Sequence, residues 1–69
     1  MLKITPVQPL PTVEDSLNHA VELLRCASAT AYETGDHLNG SQRDLAFAVM
    51  HLIDLARGAV EKSLDRLEA

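Results

Sequence analysis

Between Ser41 and Leu67 the apolar residues recur at three- and four-residue steps, the spacing of an amphipathic α-helix. At about 100° per residue, Leu45, Val49, Leu52, Ile53, Ala56, Ala59, Val60, Leu64 and Leu67 fall on one side, with Ala46, Ala48 and Leu55 at its edges. This arc covers roughly half the circumference, more than the roughly 100° a surface helix needs. Opposite it lie Asp54, Arg57, Glu61, Lys62 and Asp65. Phe47 and Met50 break the pattern by projecting among these polar residues. Lone exposed apolar residues are common, but the only Phe of the chain on the wrong side predicts a second contact surface there.

A second apolar pattern runs through Val13, Leu17, Ala20, Val21, Leu23, Leu24, Ala27 and Ala31. It predicts a first helix over 12–35, opened by Thr12 with Asp15 as a capping box and closed by Gly35 in a left-handed cap. Cys26 to Ala31 carries only small side chains and invites close approach of another helix. Residues 36–40 form the loop, from which Leu38 tucks back into the core. Asn39-Gly40 marks a turn, and Ser41, with Asp44 three residues on, caps a second helix over 41–67. Residues 1–11 form a separate arm, because Pro6, Pro9 and Pro11 forbid a regular helix. It has three readings: a loose tail, an extended strap in a helical groove, or a short strand at Leu2-Lys3-Ile4-Thr5 pairing with its symmetry mate.

The fold class is therefore all-α, an antiparallel two-helix hairpin. Sixty-nine residues bury too little apolar surface to be secure alone. Cys26 is the single cysteine, so no internal disulfide can form, and no Cys/His spacing suits zinc. Each helix also has more apolar arc than one neighbour covers. A homodimer closing into a four-helix bundle answers both needs.

Charge and composition narrow the function. The net charge is −4 and the six basic residues are scattered, which argues against nucleic acid, as does the shortage of aromatics beyond Tyr32 and Phe47. No run of about 20 apolar residues suggests a membrane span, and no export signal is recognisable. With a free thiol, this points to the cytoplasm.

Candidate chemistry is sparse. His19 on the first helix and His37 just past its end lie about five turns apart, and His51 sits on the second helix. Glu33 with His37, and His51 with Asp54, have the spacing of surface pairs, but no inward Glu-x-x-His motif builds a metal site. Cys26 has no evident base and reads as a structural thiol. Gly35, Gly40 and Gly58 are isolated, so no phosphate loop exists. Gly58 is either tolerated in mid-helix or marks the close passage of another backbone. Asp54–Arg57, Glu22–Arg25 and Lys62–Asp65 have the spacing of weak solvated ion pairs. No catalytic residue, cofactor site or metal site is predicted, and an enzyme is not expected.

The run Glu14-Asp15-x-Leu17-x-x-Ala20-x-x-Leu23-Leu24, then Ala27 through Tyr32, Leu38-x-Gly40-x-x-Arg43-x-Leu45-Ala46 and His51-Leu52-Ile53-x-x-Ala56, resembles a family of short pseudomonad proteins known as a domain of unknown function. The resemblance spans roughly residues 12–64. It implies a small bacterial cytoplasmic protein and brings no catalytic residue with it.

These readings converge on a non-enzymatic, homo-oligomeric protein-interaction module. Its expected interface comprises Phe47, Met50, Leu45, Val49, Leu52, Ile53, Ala27 and Ala31. The alternative is an oligomer that binds an anion or nucleotide at the start of the second helix through Ser41 and Arg43.

Overall fold

The computed structural model describes residues 12–68. Two helices occupy them: α1, Val13–Asp36, and α2, Gly40–Glu68. The expected N-terminal arm lies outside the described residues. The helices pair antiparallel. At one end Phe47 meets Tyr32 and Gly35; at the other the carboxyl groups of Glu14 and Glu68 come together.

α1 begins as the sequence predicts. Thr12 is extended, its Oγ1 accepts from the Asp15 N–H at 3.0 Å, and its own N–H donates to Asp15 Oδ2 at 3.3 Å. Glu14 and Asp15 add negative charge at the positive end of the helix dipole.

The loop end differs from expectation. Gly35 is not a left-handed cap; it lies inside α1 and is buried. His37 caps instead, its N–H donating to the carbonyl of Thr34 at 3.2 Å, while the Leu38 N–H donates to that of Gly35 at 3.0 Å. Positive φ falls on Gly40, at 58°, a backbone state that glycine enters without penalty. α2 takes up at Gly40, so Ser41 stands inside its first turn and does not cap it. Gly35 is needed for space: a Cβ there would lie 2.6 Å from Cε1 of Phe47.

That contact fixes the rotation of α2. Phe47 is its largest apolar side chain, and its socket is made by Gly35 and the ring of Tyr32, stacked at 5.9 Å between centroids. Seating Phe47 carries Ala46, Met50, Ile53, Arg57, Val60 and Leu64 with it toward Leu17, Val21, Leu24, Ser28, Ala31 and Gly35 of α1. The broad apolar arc of α2 therefore does not face α1. Only its edge, at Ile53, Val60 and Leu64, enters the seam, and Leu45, Val49 and Leu52 stay exposed. Among the described hydrophobic residues only Val21 and Leu64 are buried, at 7% and 8% exposure.

Candidate interaction face

The rotation of α2 divides the surface of the hairpin into two unlike flanks. In an antiparallel pair, residues lying to the same rotational side of the contact line on each helix share one face. On one flank α1 contributes Arg25, Ser28, Ala29, Tyr32 and Glu33, and α2 contributes Met50, Asp54 and Arg57; together they enclose an open cleft of about 440 Å³. On the other flank α2 presents Leu45, Val49, Leu52, Ala56 and Ala59, beside Leu23 and Ala27 of α1.

The polar flank is occupied by its own ion pairs. Arg57 reaches Asp54 Oδ1 at 3.6 Å and Glu61 Oε2 at 3.7 Å, while its Nε is buried without a hydrogen-bond partner. These distances exceed good hydrogen bonds, and the groups are partly exposed, so each pair contributes at most a few tenths of a kcal/mol. The other expected pairs, Glu22–Arg25 and Lys62–Asp65, do not form ion pairs among the described residues.

Among the described residues nothing covers the apolar flank. Leu45 is 68% exposed, Leu52 63% and Val49 50%, and Leu23 of α1 is also exposed. These positions recur one helical turn apart, so their side chains form one stripe and not scattered points. Of the expected interface residues, Leu45, Val49 and Leu52 stand on this stripe. Ile53, Ala27 and Ala31 are half-buried along its border with the seam. Phe47 and Met50 lie elsewhere. Both are half-buried: Phe47 packs on Gly35 and Tyr32 of α1, and Met50 lines the polar cleft.

The other candidates also have definite places. Arg43 lies over the Phe47 ring, 5.3 Å from its centroid, with Asp36 3.8 Å away. Its charge is thus engaged by Asp36 and the Phe47 ring at the loop end of the hairpin. His37 Nδ1 donates to the Glu33 carbonyl at 2.8 Å; that bond and then the Glu33 charge raise its pKa above 6.5, with desolvation opposing them and the Asp36 charge adding last. Cys26 is an exposed free thiol. A Cβ on Gly58 would meet nothing within 4 Å, so among the described residues no other backbone passes close. Among the described residues no three His, Cys, Asp or Glu side chains gather as a metal site, and no helix is long and apolar enough to cross a membrane.

Over the described residues the molecule is an all-α two-helix hairpin with an exposed apolar stripe on α2. The chain belongs to DUF6124, a family of unknown function, whose model matches residues 6–66. Neither the curated proteins nor the solved structures include a match to it.

Proposed function

We propose that this protein is a non-enzymatic interaction module that works by association, first with another copy of itself, through the apolar flank of α2. The observation that carries this is the continuous exposure of Leu45, Val49 and Leu52 on a hairpin whose described hydrophobic residues include only two that are buried, Val21 and Leu64. With Leu23, Leu55 and Leu67, also more than half exposed, they offer on the order of 600 Å² of apolar surface, at the upper end of the about 300–600 Å² of a typical monomer's largest patch and about three quarters of the about 800 Å² per partner of a standard interface.

Packing two hairpins by this flank gives a four-helix bundle, the arrangement in which such stripes are covered from both sides. A surface assembled in this way leaves the polar flanks outward, available to a further protein. Cys26 suits a reducing, cytoplasmic setting, where an exposed unpaired thiol persists.

Sedimentation equilibrium at micromolar concentration tests the reading. The expected result is twice the 7.5 kDa chain mass, with helicity as in the structure. A folded species of single-chain mass at 100 µM, about a hundredfold above a micromolar Kd, overturns it.

A further inference from the structure

The exposed stripe of α2 has an internal order that its hydrophobicity alone does not require. Reading outward from the middle of the helix, Leu52 has Ala56 as its counterpart, Val49 has Ala59, Leu45 has Ser63 and Ser41 has Leu67. Each couple is centred on position 54, and each couples a large side chain with a small one. All eight residues are exposed, and at about 100° per residue all fall on one sector roughly 80° wide.

We infer that the partner on this face is a second copy whose α2 runs antiparallel to the first, with the two-fold axis crossing near position 54. Large then meets small in every layer: Leu52 sits over the second copy's Ala56, Val49 over its Ala59, Leu45 over its Ser63 and Leu67 over its Ser41. The small residues let the axes approach to the close end of the usual 8–10 Å range. A two-fold axis makes each contact occur twice, which is the economy of an isologous interface.

Charge favours the same register. Asp44, Lys62 and Arg66 are exposed and take part in no ion pair among the described residues. In this arrangement Asp44 flanks the second copy's Lys62 and Arg66, on the same edge of the interface. The opposite arrangement, with both loops at one end, brings two Glu14–Glu68 carboxyl pairs into the same region. The antiparallel form keeps them at opposite ends of the assembly.

This register rests on the self-association proposed above, and two measurements separate the two ideas. Asn39→Cys in a Cys26→Ala background, carrying a nitroxide, reports the loop-to-loop distance. The antiparallel form predicts about 45 Å, from 1.5 Å of rise per residue. In the second measurement, Ala56→Leu raises the dimer Kd by about tenfold or more through overpacking. The swapped pair Leu52→Ala with Ala56→Leu restores it to within about threefold, because total volume in the layer is conserved. Circular dichroism of each variant confirms that the helices persist. A dimer with loops closer than about 25 Å, or no rescue by the swap, overturns the register while leaving self-association intact. A helical single-chain species for the spin-labelled protein at 100 µM overturns both.

Discussion

A Cβ built on Gly35 comes within 2.6 Å of Cε1 and 2.8 Å of Cδ1 of Phe47, so the ring occupies the space where every other residue type places its first side-chain carbon. Gly35→Ala must push the ring out of its socket and weaken its stacking on Tyr32. The expected cost is about 1–3 kcal/mol, the range for overpacking, read from urea unfolding. Gly35→Ala combined with Phe47→Leu should cost less than the sum of the single changes, since the smaller side chain frees the space.

Phe47→Asp separates an internal from an external role for this ring. Placed among Gly35, Tyr32 and the Arg43 guanidinium, a carboxylate removes the stacking and the apolar contact together. Loss of thermal stability and of helical signal near the loop is expected. A variant with native melting behaviour and altered association alone would place Phe47 outside the seam.

Leu52→Asp acts at the opposite flank. Leu52 is 63% exposed, so the substitution costs the hairpin little internally. It places a charge in the middle of the apolar stripe, and burying an unpaired charge is expensive. Sedimentation should show the dimer population shifted strongly toward single chains; an unchanged mass distribution would contradict the proposed face.

His37 introduces a pH dependence at the end of α1. Its folded pKa is raised above 6.5. The protonated ring is therefore favoured in the folded state, and its contribution to stability is complete below pH 6.5 and lost as pH rises through the raised value. Two-dimensional NMR titration of the imidazole should give a pKa above 6.5. His37→Gln should flatten this part of the stability profile.

The capping box offers a test at the other end. Thr12→Ala removes the acceptor for the Asp15 N–H, with an expected loss of about 1 kcal/mol. Amide exchange should accelerate first at Asp15 and its neighbours in the opening turn of α1.

The two helices and their antiparallel pairing were readable from apolar spacing and from Thr12, Asp15 and the loop residues. Such signals are local: each helix boundary depends on a few neighbours in sequence. The rotation of α2 was not readable from the size of its apolar arc, because the widest greasy face is not the one that meets α1. The deciding contact joins Gly35 to Phe47, residues on different helices; Phe47 stood out in the sequence, while Gly35 read as an ordinary cap. A glycine near a helix end reads equally as a cap or as a clearance, and only the ring opposite distinguishes them. The unpaired stripe was legible as residues, Leu45, Val49 and Leu52, though its place on the outside followed from the Phe47 socket.

With Val21 and Leu64 alone buried among its described hydrophobic residues, the hairpin keeps little folding free energy in reserve. Abundance then becomes a thermodynamic variable. By mass action, a partner that binds only the ordered chain raises the melting temperature as its concentration rises. Under the proposed self-association, a cell making few copies would hold a loosened chain exposed to proteases, and one making many would hold a resistant assembly. The expression level itself would thereby set how long each molecule survives.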